Sequence, residues 1–173
     1  MKMGYIKKIC LLGDPAVGKT SLVQRYVYDR FDEKYLSTIG TKPSVKNMTY
    51  KDLEVALTIW DIAGQETFQN VHNSYFNGAS GAILVCDITR PETVDSLTHW
   101  SHRFHQSAPD GHIILVSNKW DLVDREEEGE TLNKEKDILE FSKFERCAYI
   151  KASAKDNMNI EDIFTALVEK IMD

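Results

Sequence analysis

Residues 13–21 read GDPAVGKTS and place Gly13, Gly18, Lys19 and Thr20 at the spacing GxxxxGK[ST]. Each position has a chemical reason. Glycine lets the backbone turn back on itself and approach an anion closely. Successive N–H groups and the start of a following helix then face negative charge. Lys19 adds a formal positive charge for the β- and γ-phosphates, and the Thr20 hydroxyl can ligate magnesium. The cradle expected from the spacing is Gly13, Asp14, Pro15, Ala16 and Val17, continuing through Gly18, Lys19, Thr20 and Ser21. Pro15 lacks an N–H, yet the required glycines stand elsewhere and other donors remain. What Pro15 alters is the space beside the expected γ-phosphate.

A phosphate loop alone does not separate kinases, ATPases and GTPases. Four further stretches do: Thr38 in YLSTIG, DIAGQE (61–66), NKWD (118–121) and SAK (153–155). The Asp121 carboxylate can accept two hydrogen bonds from a base that shows an adjacent N–H and amino group. Guanine has that pair and adenine does not, so adenine would leave a charge unpaired. Taken singly, NKWD is an ordinary polar strand end and SAK a common tripeptide. Their order after a phosphate loop gives them meaning.

The elements that must hold these residues alternate in type, which predicts an α/β fold with a doubly wound, mostly parallel sheet of about six strands and about five helices. A strand is expected from Ile6 to Leu12, then a helix with Leu22, Val23, Tyr26 and Val27 on one face. Val45–Tyr50 and Leu53–Trp60 read as a hairpin, with Val55, Leu57 and Ile59 alternating against Ala56, Thr58 and Trp60. GAILVCD (81–87) and HIILVSN (112–118) are apolar runs suited to central parallel strands. Pro91 marks a helix start, CAYIKAS (147–153) a last strand, and the Ile160–Ile171 stripe a last helix. The acidic run from Asp124 to Glu130 reads as a solvated loop before a Thr131–Phe144 helix.

In TIG (38–40), TIWDIAGQE (58–66), TFQNVHNSYFNGA (67–79) and LVCDIT (84–89), the chain resembles the Ras superfamily of small GTPases and, within it, the Rab branch. The match runs in order along nearly the whole chain. The resemblance implies one P-loop NTPase G domain over residues 1–173, switching between GTP- and GDP-bound forms through segments at about 29–43 and 61–76. It implies that Thr38 meets magnesium and the γ-phosphate, that Asp61 holds magnesium through water, and that the Gly64 N–H meets the γ-phosphate. Gln65 would orient the attacking water, and with Lys19 and Thr38 would carry the chemistry of slow GTP hydrolysis. Phe31 would pack on the base, Tyr35 would lie in the nucleotide site, and Asn118 and Lys119 would brace base and loop. The Ala154 N–H would reach the guanine oxygen, with Ser153 and Lys155 in support.

The expected partners are GTP, GDP, effectors, an exchange factor and an activating protein, in membrane traffic or signalling, and the expected state is a monomer. One departure bears on partners. Thr41, Lys42 and Pro43 stand where Rab proteins carry a valine, an acidic residue and Phe.

Composition narrows the alternatives. The 173 residues are 42% hydrophobic with a net charge of −6, which suits a full core and disfavours non-specific nucleic-acid binding. Three cysteines without a CxxC pair predict buried thiols in a reducing cytoplasm. No stretch suits a membrane span or signal peptide. His99, His102 and His105 drift around their helix at steps of three, so magnesium is the only metal expected. The sequence ends without a cysteine for prenylation; either a lipidated tail lies beyond it or the protein works without one. Two rival readings stay open: a pseudo-GTPase scaffold that holds nucleotide without turnover, and an ATP-using phosphotransferase, which Asp121 disfavours.

Overall fold

The computed structural model describes residues 4–34, 41–62, 74–123 and 128–173. Its strands are β1 (Gly4–Leu12), β2 (Thr41–Tyr50), β3 (Leu53–Ile62), β4 (Gly81–Asp87), β5 (His112–Asn118) and β6 (Ala148–Lys151). Its helices are α1 (Lys19–Tyr28), α2 (Pro91–Asp95), α3 (Leu97–Ser107), α4 (Glu128–Glu145) and α5 (Ile160–Met172). The sheet order is β2-β3-β1-β4-β5-β6, with β2–β3 antiparallel and the other described strand pairs parallel. The chain winds to one side of β1 through β3 and to the other through β4. The loop leaving β1 therefore opens at the point where strand order reverses, where such sheets bind ligands.

Strand alternation builds two cores. Ile9, Leu11, Ile83, Val85, Ile114 and Val116 face one side with Leu22 and Val23 of α1 and Phe164 and Leu167 of α5. Cys10, Leu12, Leu84, Cys86 and Leu115 face the other with Leu97, Trp100 and Phe104 of α3. Tyr26 stacks on Phe164 at 3.7 Å between ring centroids, fixing α1 against α5. Burial pushes the Cys10 and Cys86 thiols up to about 12, so both stay protonated and inert.

Several boundaries differ from the sequence reading, among them the end of β3 at Ile62 rather than Trp60. Strand β1 begins at Gly4 rather than Ile6. Strand β2 begins at Thr41, because pairing with β3 continues through Pro43↔Trp60 to Thr41↔Ile62; β2 lies at the sheet edge, where a proline is tolerated. The hairpin turns at Lys51 and Asp52, both left-handed at φ 45° and 64°, as a two-residue turn of matching twist requires. Helix α4 starts at Glu128 rather than Thr131, so the end of the acidic run, Glu128 and Glu130, is helix and not loop. Residues 124–127 lie outside the described set. Strand β6 is shorter than 147–153, with Cys147 just before it and Ser153 in a bridge to Met158.

Candidate functional site

The loop between β1 and α1 is held by its carbonyl groups. Lys19 Nζ donates to the carbonyls of Gly13 and Asp14, each at 2.8 Å. Arg90 Nη1 donates to Pro15 O at 3.0 Å, Lys119 Nζ to Ala16 O at 2.7 Å, and Asn118 Nδ2 to Val17 O at 3.0 Å. Every carbonyl from residue 13 to 17 is thus committed to a side-chain donor. A loop so held offers its N–H edge on the opposite side, which is the geometry of an anion cradle.

The glycines serve this packing as well as the turn. A Cβ on Gly13 would meet Val85 O at 2.2 Å, and one on Gly18 would meet Asn118 Nδ2 at 2.2 Å. Both have positive φ, 146° and 101°. Gly18 therefore also makes room for the residue that ties the loop to β5, a reason beyond close approach to phosphate. Ala16 accepts φ 63° despite its Cβ, a strain of about 1–2 kcal/mol that the Lys119 and Asn118 contacts offset.

Lys19 is 6% exposed, and burial pushes its ammonium down to about 8 although Asp61 and Asp14 pull the other way. The β1–β3 register sets Asp61 opposite Leu11. There Thr20 Oγ1 donates to Asp61 Oδ2 at 2.5 Å, across 41 residues of sequence. A hydroxyl and a carboxylate 5% exposed, beside a buried ammonium, form a hard-oxygen donor set suited to Mg²⁺ next to phosphate.

A cavity of about 390 Å³ runs from Pro15, Lys19 and Thr20 past Phe31 to Asn118, Asp121 and Ala154. At its far end Ser153 Oγ donates to Asp121 Oδ1 at 2.6 Å and itself accepts the Asp156 N–H at 3.0 Å. Those bonds fix the carboxylate's rotation. Lys119, left-handed at φ 70°, pairs its Nζ with Asp87 Oδ2 at 2.9 Å, and Asp87 is 1% exposed. The Ala154 N–H donates to Asn118 Oδ1 at 3.2 Å, so a base oxygen would share that donor. Arg25, in the last turn of α1, donates to Ala154 O and Lys155 O, both at 2.8 Å. Helix α1 therefore joins the Lys19–Thr20 end of the cavity rigidly to the SAK loop at the other.

The structure brings together Pro15, Ala16, Gly18, Lys19, Thr20, Ser21, Phe31, Asn118, Lys119, Asp121, Ala154 and Lys155 along this cavity. Gly13, Val17 and Ser153 support it from behind. Asp14 faces elsewhere: its carboxylate accepts Ser96 Oγ at 2.7 Å and Trp100 Nε1 at 2.9 Å. Only its backbone serves the cradle. Tyr35, Thr38, Gly64 and Gln65 lie outside the described residues. Sequence reasoning missed Gln24, Asp32, Glu33 and Lys34 on the cavity wall and the bracing side chains Arg25, Asp87, Arg90 and Trp100. Asp87 alone gave a signal, as a carboxylate ending an apolar strand. Among the described residues no three His, Cys, Asp or Glu side chains converge on a metal position; His105 faces Glu145 at 3.7 Å.

Residues 8–173 match the family described as the Ras family. The chain is 35% identical over 165 residues to "Ras-related protein Rab-22A" of Canis lupus familiaris, covering 95% of this chain and 82% of that protein. It is 38% identical over 167 residues to "Ras-related protein Rab-18" of Caenorhabditis briggsae, covering 95% and 80%. Against "GTP-binding protein ypt1" of Schizosaccharomyces pombe it is 34% identical over 168 residues, covering 96% and 80%. A phosphate loop at the sheet's reversal point, a cavity ending at Asp121 and relatives of this kind along nearly the full chain agree: the protein belongs to the Ras family and is a Rab-like small GTPase.

Proposed function

We propose that residues 1–173 form a single guanine-nucleotide switch domain that binds GTP or GDP with Mg²⁺ and hydrolyses GTP slowly. The carrying observation is the one cavity that joins Lys19 and Thr20 to Asp121 and Ala154. Asp121 reads the base edge, and the Ser153 hydroxyl holds it in position. The loop N–H groups and Lys19 hold the phosphates. Thr20 and Asp61, already in contact, hold the Mg²⁺, which when bound would neutralise phosphate charge. From the resemblance, Thr38 completes that set, Gln65 orients water, and Thr38 and Gly64 sense the γ-phosphate, so hydrolysis releases both switch segments to change partners.

Intrinsic turnover is slow on this reading because an external partner supplies the arginine. Effectors, exchange factor and activating protein would meet the switch segments, in membrane traffic or signalling. No described helix is long and apolar enough to cross a membrane. The free cysteines, Cys10 and Cys86 buried and Cys147 half-buried, support a reducing cytoplasmic setting, with membrane association peripheral.

Extraction of the nucleotide from purified protein, followed by turnover of GTP and ATP with Mg²⁺, tests this reading. Guanine nucleotide recovered, GTP cleaved and ATP ignored is the expected result. Guanine nucleotide held but never cleaved would instead establish the scaffold, and cleavage of ATP would overturn base recognition.

The α1 strut gives a separate expectation. Arg25→Ala frees the Ala154 and Lys155 carbonyls from two charge-assisted bonds worth about 1.5–3 kcal/mol each, less what water restores. Guanine nucleotide should dissociate about tenfold faster in stopped flow, with single-turnover hydrolysis nearly unchanged.

A further inference from the structure

Pro15 is the one residue of the phosphate loop with no N–H to offer an anion. Its carbonyl accepts Arg90 Nη1 at 3.0 Å. Arg90 precedes α2, 75 residues away in sequence, and nothing in the loop motif requires it. The next two grips on the loop come from the same segment: Ser96 Oγ and Trp100 Nε1 both hold Asp14.

The charges behind the loop are unequally compensated. Lys119 is paired with Asp87, which is 1% exposed, so its field is cancelled at close range. Arg90 is paired with Glu92 at 3.0 Å, but Glu92 is 64% exposed, and water screens that pair heavily. Arg90 itself is only 35% exposed, with Nη1 fixed on Pro15 O and Nε on Glu92. A positive charge therefore remains anchored on the residue that cannot donate, next in sequence to the Asp14 carboxylate that Ser96 and Trp100 turn the other way.

We propose that Arg90 is a positioning residue for the nucleoside triphosphate. It holds the Pro15 carbonyl away from the cavity and sets a guanidinium charge behind the terminal-phosphate corner of the loop, in place of the N–H that proline lacks. This inference rests on the guanine-nucleotide reading of the cavity. Because the terminal phosphate is what GTP has and GDP lacks, the charge acts mainly on GTP.

The test is the affinity of the full chain for GTP and for GDP, each with Mg²⁺, in the wild type, Arg90→Gln, Arg90→Lys, Pro15→Ala and Pro15→Ala/Arg90→Gln. Arg90→Gln should weaken GTP about tenfold, the scale of one charge-assisted contact, and GDP less than about threefold. Arg90→Lys should recover part of the GTP loss. In the Pro15→Ala background, where the loop regains its N–H and keeps its carbonyl, Arg90→Gln should weaken GTP only about two- to threefold. Equal losses for GTP and GDP, or the same GTP loss in both backgrounds, would overturn the proposal and leave Arg90 as a loop brace alone. A wild-type chain with no affinity for either nucleotide would overturn the cavity reading beneath it, a result distinct from both.

Discussion

Lys19→Met should abolish nucleotide-dependent stabilisation while leaving the nucleotide-free fold nearly as stable as before. Two opposing terms produce that split. Burial lowers Lys19 from 10.5 to about 8, which corresponds to about 3 kcal/mol of unfavourable charge burial in the protein alone. Methionine removes that cost and keeps the apolar stem. It also leaves the Gly13 and Asp14 carbonyls without their donor, at about 1–3 kcal/mol each where water is excluded. The terms largely cancel, and the nucleotide-free fold should shift by no more than about 2 kcal/mol. Binding has no such cancellation. On the proposed reading the ammonium would meet phosphate oxygens directly, and its loss should cost at least 3–4 kcal/mol, or about 10²–10³ in affinity. Thermal melts with and without GDP and Mg²⁺ decide it: a wild-type rise in Tm on adding nucleotide and almost none in the variant. A variant that keeps the full rise would remove Lys19 from the phosphate site.

The same residue sets a pH dependence. Between about 8 and 10.5 the unfolded chain holds a proton on this lysine that the nucleotide-free folded chain has released. Stability of the nucleotide-free protein therefore gains from this group as pH rises through that window. Phosphate favours the ammonium, so binding takes up a proton once the pH passes about 8, and affinity falls above it. Calorimetry at pH 7 and pH 8.5, in buffers of different ionisation heat, should show uptake only at the higher pH.

The fold was largely open to sequence reading because its signals are local. Apolar runs of strand length, one hairpin and the Ile160–Ile171 stripe each declare an element within a few residues. Boundaries slipped where a neighbour decides them, as when β3 extends β2 across Pro43 to Thr41. The cavity was legible at motif positions for a similar reason: Gly18, Lys19, Thr20 and Asp121 have to be those residue types at those offsets. What escaped were contacts whose partners lie far apart. Arg25 to Ala154 spans 129 residues, Trp100 to Asp14 spans 86 and Arg90 to Pro15 spans 75. A surface helix arginine or a core tryptophan carries no local mark of the backbone it holds. Asp14 shows the converse, since its place inside the motif suggests a ligand contact and the Trp100 indole draws its carboxylate away.

Asp121→Asn should exchange guanine for xanthine as the preferred base, and Ser153 determines how cleanly. A carboxylate accepts at both oxygens, matching the N–H and amino group along one edge of guanine. Xanthine keeps the ring N–H but carries a carbonyl in place of the amino group, so it needs one acceptor and one donor. The substitution supplies that pair only if the new amide is held one way round. Ser153 Oγ donates to Oδ1 at 2.6 Å, while one of its lone pairs accepts the Asp156 N–H. The hydroxyl hydrogen is therefore directed at the amide oxygen, and the amide nitrogen is left for the base. Guanine affinity should fall by about 10²–10³, since two charge-assisted bonds become one neutral bond and one opposed donor pair. Xanthosine triphosphate should bind better than to the wild type by a comparable factor. Adding Ser153→Ala to Asp121→Asn frees the amide to flip, and should erase much of the discrimination between the two bases without restoring tight guanine binding. Competition titrations with guanosine and xanthosine triphosphates read both effects. Guanine preference unchanged by Asp121→Asn would show that the base is recognised elsewhere, and the cavity's two ends would then not belong to one nucleotide.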